Sequence, residues 1–90
     1  MKRHNRSRFE IELEVLKAAA GLNSYQIMLK AKVRDHVTTS RILHRFVVNG
    51  LLSERLNNGH LHYFRTQQGA EAVKSAEHTK VLLTTYRGLE

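Results

Sequence analysis

The segment from residue 30 to residue 49 concentrates basic and hydroxyl side chains, and their chemistry is that of binding rather than catalysis. Its basic residues are Lys30, Lys32, Arg34, Arg41 and Arg45, and its one acidic residue is Asp35. Lysine neutralises an anion as a point charge, whereas arginine presents planar, paired donors that match phosphate and other oxyanions. Serine, threonine and histidine in the same segment add further donors and acceptors. These residue types predict recognition of a polyanion.

The positive charge of the chain is clustered rather than evenly spread. The formal net charge is +7 over 90 residues, and Lys2, Arg3, Arg6 and Arg8 form a second basic group with no acidic residue among them. Such clusters are typical of nucleic-acid binders, although a charged surface that only keeps the protein soluble is the alternative. Residues 1–6 have no apolar pattern. They are predicted to form a flexible basic arm that follows phosphates, enters a minor groove or has no role.

Several classes of protein are excluded by what the sequence lacks. The chain contains no cysteine, so neither disulfides nor thiolate metal ligands are available. No apolar run approaches a membrane span, so no membrane association is expected, and the predicted location is cytoplasmic and nucleoid-associated. No serine lies in a nucleophile motif, so neither enzymatic activity nor catalytic residues are expected. His36, His44, His60 and His62 have no further residues to complete a zinc site, so neither a metal nor a cofactor is expected.

The first helix is predicted to begin at residue 8. Ser7 and Glu10 have the spacing of a capping box, which marks the start of a helix. Residues 9–15 also alternate between apolar and acidic, which is a strand period. Strong helix formers continue the segment as far as Ala20, and Gly21 is a natural helix stop, so a helix with Ala20 in its apolar stripe is favoured.

A short helix, a turn and a longer helix follow. The short helix is capped by Asn23 or Ser24 and ends near residue 31. The longer helix is predicted over residues 35–49, with Asp35 as N-cap and Gly50 as the left-handed residue that ends it. Its inward positions are Thr39, Ile42 or Leu43, Phe46 and Val47. Its outward positions are His36, Thr38, Ser40, Arg41, His44, Arg45 and Val48.

A β-hairpin and a last helix complete the chain. Asn58-Gly59 between two strand-like runs, residues 52–56 and 60–65, predicts a type I′ turn. Thr66 is expected to cap a helix that runs to about residue 86. Small and apolar residues recur along this helix at spacings of three and four, which predicts an antiparallel pairing with a second copy and hence a homodimer. The predicted dimer interface comprises Ala72, Ala76, Thr79, Leu83 and Tyr86.

The order of these elements, together with short motifs, resembles a winged helix-turn-helix domain. The motifs are Arg6-Ser7-Arg8-Phe9-Glu10-Ile11, Ile27-Met28-Leu29-Lys30-Ala31, Asn49-Gly50-Leu51-Leu52 and Tyr63-Phe64-Arg65-Thr66-Gln67-Gln68-Gly69. Together they resemble the small archaeal winged-helix DNA-binding proteins, including those of archaeal viruses, that dimerise through a long C-terminal helix. The resemblance implies an α+β, mainly α fold: three helices and a β-hairpin wing over residues 7–66, then a long dimerisation helix over residues 67–88.

The resemblance also implies which residues contact DNA. On the longer helix, Thr38, Ser40 and Arg41 would face the bases. Residues that flank this helix or lie on the wing would meet the backbone or an adjacent groove. The complete set of predicted DNA-binding residues is Lys30, Lys32, Arg34, His36, Thr38, Ser40, Arg41, His44, Arg45, Arg55, Asn57, Asn58 and His60.

The sequence departs from the family pattern in three places. The turn at residues 31–34 has no glycine, and Thr39 stands where an aliphatic residue usually packs. Arg65 replaces an aliphatic strand residue, so it is expected to be exposed or paired with an acid. The first two departures concern the angle at which the longer helix leaves the turn.

The function predicted from the sequence is binding of double-stranded DNA. The protein would be a dimeric transcriptional regulator, with helix 35–49 in the major groove and the wing, residues 55–62, on the adjacent groove or backbone. An architectural, chromatin-like DNA binder with little sequence preference is the first alternative. A winged-helix module for protein–protein contact is the second, and the clustered positive charge argues against it.

Overall fold

The predicted order of elements is present, with one additional strand. The structure, a computed structural model, describes residues 6–88 and the side chains of residues 6–79. No helix within the described residues is long and apolar enough to cross a membrane. The elements are α1 (Arg8–Ala18), β1 (Ala20–Asn23), α2 (Ser24–Ala31), α3 (His36–Val48), β2 (Leu52–Asn57), β3 (His60–Arg65) and α4 (Gln67–Gly88).

The first two helices begin at the predicted caps. The Ser7 hydroxyl accepts the backbone N–H of Glu10 at 3.1 Å, and the Glu10 carboxylate accepts the backbone N–H of Ser7 at 2.9 Å. This reciprocal pair satisfies two N–H groups that have no partner within the helix, and it favours helix over the alternative strand. Asn23, one of the two predicted caps for α2, makes the same arrangement with Gln26 at 2.9 and 3.0 Å.

The first helix ends earlier than predicted, and a strand follows it. α1 stops at Ala18, and Ala20 is exposed in β1 instead of lying in the helix's apolar stripe. β1 pairs antiparallel with β3, which gives the strand order β1-β3-β2. Gly21, predicted as the helix stop, has a φ of +84° at an irregularity in register between Ala20 and Leu22. Glycine adopts this left-handed conformation with least strain, so it allows the bulge.

Arg65 closes the C-terminal end of α1. Its guanidinium donates to the carbonyl oxygens of Leu16 at 3.1 Å and Lys17 at 2.5 Å. The last carbonyls of a helix have no partner within the helix, and a cation also interacts favourably with the negative end of the helix dipole. Arg65 was expected to be either exposed or paired with an acid, and it is exposed. Its partners are main-chain oxygens rather than an acid.

The core lies between the helices and the sheet. Its fully buried side chains include Val15 of α1, Ile27 of α2, Leu43 of α3 and Leu52 of β2. Thr39, which stands where an aliphatic residue usually packs, is fully buried, with 0% exposure. Its hydroxyl donates to the carbonyl oxygen of Asp35 at 3.2 Å, so the buried polar group has a partner and the site accommodates threonine.

The C-terminal end of α3 is closed by Gly50. This residue has the predicted left-handed conformation, with a φ of +81°. The backbone N–H of Gly50 donates to Val47 at 3.1 Å, and that of Leu51 donates to Phe46 at 2.9 Å. The pattern is a Schellman motif, which satisfies the last carbonyls and turns the chain into β2.

The start of α4 is fastened to the end of α3. The Thr66 hydroxyl donates to the carbonyl oxygen of Gly50 at 2.7 Å, and the Thr66 backbone N–H donates to that of Leu51 at 3.1 Å. The same hydroxyl accepts the N–H of Gly69 at 3.0 Å and so caps α4, as predicted. A Cβ added at Gly69 would lie 2.0 Å from the Leu51 oxygen, so this close approach requires glycine.

Helix α4 packs on its own domain at its N-terminal end. Ala72 and Val73 lie against the core, and the Lys17 ammonium is 2.8 Å from the Glu77 carboxylate. This hydrogen bond to Glu77, followed by the charge of Glu14, raises the pKa of Lys17 above its usual value. Among the predicted dimer residues, Ala72 and Ala76 are half-buried and Thr79 is exposed. Leu83 and Tyr86 lie outside the residues whose side chains are described.

Candidate nucleic-acid interface

One face of α3 carries an unbroken row of exposed side chains. The row occupies positions spaced by three and four residues, so its members lie on one side of the helix. Opposite this row, Leu43 and Phe46 are buried in the core. α3 therefore presents a fixed surface to solvent from its first turn to its last. The exposed residues of this row are Val37, Ser40, Arg41, His44 and Val48.

Thr38 lies in the first turn of α3, where it bonds to the cap residue Asp35. It lies beside the exposed row rather than within it. Its backbone N–H donates to one Asp35 carboxylate oxygen at 2.7 Å, and its hydroxyl donates to the other at 2.8 Å. The backbone hydrogen bond from Thr38, followed by its hydroxyl hydrogen bond, lowers the pKa of Asp35 below its usual value. The half-buried Thr38, predicted to face the bases, thus already uses its hydroxyl proton within the protein.

His36 joins the first turns of α2 and α3. Its Nε2 lies 2.9 Å from the hydroxyl oxygen of Ser24. The hydrogen bond holds the start of α3 against the start of α2, while the imidazole itself stays exposed. His36 therefore has a positioning contact in addition to its predicted place at the interface.

Arg45 is paired with a carboxylate from another helix. Its guanidinium forms an ion pair with Glu12 of α1. The same carboxylate lies 3.1 Å from Nε of Arg8. One negative charge is therefore shared by two arginines. Arg45 was predicted to contact phosphate, and it would have to share its guanidinium between Glu12 and any such partner.

The turn between α2 and α3 is closed by two basic residues. Lys32 takes the place of the missing glycine, with φ 58° and ψ 43°, a left-handed conformation that costs a non-glycine residue some strain. The Arg6 guanidinium donates to the carbonyl oxygens of Ala31, at 2.8 Å, and of Lys32. Arg6 thus braces the turn, although it belongs to the segment predicted as an arm. Residues 1–5 of that segment lie outside the described residues.

Other basic residues of α2, the turn and α3 remain exposed. Within the described part of the chain, the side chains of Lys30, Lys32, Arg34 and Arg41 form no hydrogen bond or ion pair, and all four residues are exposed. They come from the end of α2, the turn and the first half of α3. An anion approaching α3 would therefore meet positive charge, of which only that of Arg41 acts on a carboxylate, that of Asp35.

The wing has the predicted turn and an exposed tip. Asn58 and Gly59 have φ values of 53° and 80°, as a type I′ turn requires. The predicted residues Arg55, Asn57, Asn58 and His60 are all exposed. The Arg55 guanidinium lies over the Phe64 ring, 5.4 Å from its centroid, which holds the arginine along the strand.

Exposed apolar residues that were not among the predicted contacts also lie at this surface, and Val48 at the end of the row is one of them. Val37 belongs to the exposed row of α3, and Leu56 lies near the tip of the wing. The spacing of Val37 relative to Arg41, one helical turn, was the feature in the sequence that could have identified it. The structure brings together no group of three or more His, Asp or Glu side chains that could hold a metal ion within the described residues.

Three solved structures resemble this chain along most of its length. Sso10a-2, a DNA-binding protein from Sulfolobus solfataricus, superposes with a TM-score of 0.81 at 20% identity, over 92% of this chain and 88% of that one. F-93 of the archaeal virus SSV1 has a TM-score of 0.65 at 18% identity, over 100% of both chains. Sco5413, a MarR family transcriptional regulator from Streptomyces coelicolor, has a TM-score of 0.69 at 24% identity.

These likenesses establish the fold. The fold is a winged helix-turn-helix. An α+β, mainly helical fold of this kind was predicted, and two of the three structures come from an archaeon and an archaeal virus, the group that the sequence resembles. This chain spans 59% of the length of Sco5413. No protein-family model matches the chain, and no curated protein matches its sequence.

Proposed function

We propose that this protein binds double-stranded DNA as a dimeric transcriptional regulator. Helix α3 would lie in the major groove, and the wing would lie on the adjacent groove or backbone. The observation that carries the proposal is the exposed row of α3, in which Arg41 makes no hydrogen bond or salt bridge within the described residues, although its charge acts on the carboxylate of Asp35. A single α-helix fits the major groove of B-DNA, and the N-terminal residues of such a helix reach the base edges.

The unpaired side chains divide into two chemical roles. Arg41 has the paired donors that match the O6 and N7 atoms of guanine, and Ser40 beside it can bond to either kind of base. Lys30, Lys32 and Arg34 lie on the flank of α3 and would neutralise phosphates, which adds affinity without sequence information. No catalytic role is proposed, because the sequence contains no nucleophile motif.

The proposed dimer uses the outer part of α4. Ala76 is half-buried and Thr79 is exposed on the stripe predicted to meet a second copy. Ala72, on the same stripe, packs partly against its own core, so contact with a second copy would begin beyond it. Because α4 is fastened to the end of α3 through Thr66, the pairing of two α4 helices would also set the distance between two copies of α3.

An architectural DNA binder with little sequence preference is a second candidate. Two observations favour it. Thr38 and Arg45 are already engaged within the protein, which leaves few side chains on α3 to distinguish bases. In addition, the solved structure that matches over 88% of its own length is described as a DNA-binding protein rather than as a regulator.

Binding to a labelled mixed-sequence duplex across a salt series tests the proposal, with unlabelled genomic fragments as competitors. The three phosphate contacts of Lys30, Lys32 and Arg34 predict a slope of about −2.7 per bound protomer in a plot of log affinity against log salt. Fragments that compete about a thousandfold better than the rest would identify a regulator. Equal displacement by all fragments would identify an architectural protein. No binding at low salt would overturn both candidates and favour a protein-contact module.

A matched pair of variants makes this experiment specific to the proposed surface. Arg34→Ala should reduce the salt slope by about 1 per bound protomer, the value expected for the loss of one phosphate contact in each copy. Lys74→Ala removes the same charge from an exposed position on α4 and should leave the slope unchanged. Equal effects of the two variants would show that the net charge of the protein matters and the surface does not. Light scattering of the same samples measures whether the unbound protein is a dimer.

A further inference from the structure

The exposed row of α3 is polar except at its two ends. Val37, the second residue of the helix, is 60% exposed, and Val48, its last residue, is 68% exposed. A β-branched residue at an exposed helical position gains little from packing and is not a favoured helix former. The stability of α3 therefore gives no reason for valine at position 37.

Val37 occupies the position from which base recognition is expected. It lies three residues before Ser40 and four before Arg41, so the three side chains adjoin on one face. Its neighbour Thr38 turns toward Asp35, where its hydroxyl is bonded at 2.8 Å. The first turn of the exposed row thus presents methyl groups, in place of the hydroxyl that the sequence alone suggested.

We propose that Val37 contacts the C5-methyl group of a thymine and is a specificity-determining residue of the DNA interface. This inference rests on the proposed function. In the major groove, thymine alone among the four bases carries a methyl group, and apolar side chains recognise it by contact. Removing two apolar surfaces from water stabilises the complex, whereas a cytosine at the same place presents no methyl group.

The spacing between Val37 and Arg41 also predicts how far the thymine lies from the guanine that Arg41 would recognise. Four residues of α-helix span about 6 Å. Successive base pairs are about 3.4 Å apart along one strand. If Arg41 bonds to a guanine, the thymine that meets Val37 lies within about two base pairs of it. The preferred site would therefore contain a closely spaced thymine and guanine.

Replacement of thymine by uracil tests the contact without knowledge of a target site. Two mixed-sequence duplex pools of the same composition are prepared, one with thymidine and one with deoxyuridine, so that only the C5-methyl groups differ. The protein should bind the uracil pool about fourfold more weakly, as expected for one buried methyl group. Val37→Ala should lose most of this preference, because the shorter side chain lacks the two outer methyl groups of valine, and its affinity for the thymine pool should fall toward that of the unchanged protein for the uracil pool.

Val48→Ala is the matched control. It removes the same atoms from an equally exposed valine at the opposite end of α3, so it should keep the fourfold preference for thymine. Thermal unfolding of both variants verifies that the fold is unchanged. Because uracil also alters the duplex slightly, the decisive quantity is the difference in preference between the Val37 and Val48 variants.

The possible outcomes separate this inference from the proposed function. Equal binding of both pools by the unchanged protein, with tight binding to DNA, would overturn the role of Val37 and leave DNA binding intact. A Val37→Ala variant that keeps the full fourfold preference for thymine would also overturn it, since another residue would then contact the methyl group. Absence of binding to either pool at low salt would mean that the proposed function itself is wrong.

Discussion

The arginines that pair with groups of α1 differ in their bonding partners from the cations on the face formed by α2 and α3. Around α1, Arg65 donates to helix carbonyls, and Arg8 and Arg45 share the Glu12 carboxylate. On the α2–α3 face, Arg34 and Arg41 have no such partner within the described residues. The first group connects elements of the fold, and the second group is available to a ligand.

This difference shows that a count of basic residues overstates the surface available for binding. A guanidinium that caps a helix keeps its charge and still contributes to the long-range potential. It cannot also place both of its paired donors on a base or a phosphate without releasing the carbonyls. Short-range recognition should therefore depend on the unpaired cations, whereas the stability of the fold should depend on the engaged ones. Variants of the two groups should separate these effects.

The largest effect on binding is expected at Arg41. Arg41→Ala should weaken binding to a preferred DNA site about 5- to 150-fold, equivalent to about 1–3 kcal/mol for a paired contact with guanine. The free energy of unfolding should change by less than about 0.5 kcal/mol, because the side chain is exposed. Fluorescence anisotropy and urea denaturation measure the two quantities. Arg41→Lys keeps the charge without the paired donors, so recovery of full selectivity by this variant would contradict the role of a bidentate contact.

The converse effect is expected at Arg65. Arg65→Ala should lower the free energy of unfolding by about 1.5–3 kcal/mol, the range for hydrogen bonds that involve a charged group. DNA affinity well below the melting temperature should be almost unchanged. Arg65→Met, which keeps much of the aliphatic stem, is the control for lost packing and should be nearly as destabilised. A stable Arg65→Ala variant with weakened DNA binding would contradict this role, because Arg65 would then contact DNA rather than stabilise the fold.

Features that depend on residues close together in the sequence were predicted correctly. Ser7 and Glu10 form the predicted capping box, and Asn23, one of the two predicted caps, begins α2. The type I′ turn at Asn58-Gly59 needs only two adjacent residues that tolerate a positive φ. For such features, the residues that cause the local structure lie within a few positions of one another in the sequence. The order of helices and the hairpin follow from these starts and stops.

Features that depend on distant partners were not predicted. Arg6, Arg45 and Arg65 bind groups that are 25, 33 and 49 residues away in the sequence. β1 is a strand only because β3 offers it an edge, and its four residues have no strand pattern of their own. The same limit affected the candidate site. The hydrogen bond of the Thr38 hydroxyl to Asp35 was not predicted. Val37 was also missed, although its spacing of one helical turn from Arg41 indicated that it lies on the same face.

A smaller effect on DNA affinity should follow if Arg45 is released from its ion pair with Glu12. Glu12→Gln removes the partner of Arg45 and should leave its guanidinium available to phosphate. DNA affinity should then rise about two- to fivefold, within the range of an exposed ion pair. Glu14→Gln is the matched control, since it removes the same charge from the same helix but leaves Arg45 paired. Equal gains for the two variants would show a general charge effect rather than the release of Arg45.

The smallest effect concerns Asp35, the single acidic residue within residues 30–50. Hydrogen bonds from Thr38, first through its backbone N–H and then through its hydroxyl, hold the pKa of Asp35 below its usual value. The resulting stabilisation is present above about pH 4, the pKa of an unfolded aspartate, and is lost as the pH falls through the lowered pKa. Asp35→Asn provides a comparable cap that does not titrate.

The difference in unfolding free energy between the native protein and Asp35→Asn should therefore stay constant from pH 7 to about pH 5. Below that pH it should move in favour of asparagine. Urea midpoints at several pH values down to 2 measure this difference, and a difference that does not change with pH would contradict the assignment of Asp35 as the titrating cap. A change of the predicted sign would mean that the one acid on the α2–α3 face is present to hold the helix that carries Arg41. The unpaired cations of this face and the acid among them would then have separate roles, binding for the former and positioning for the latter.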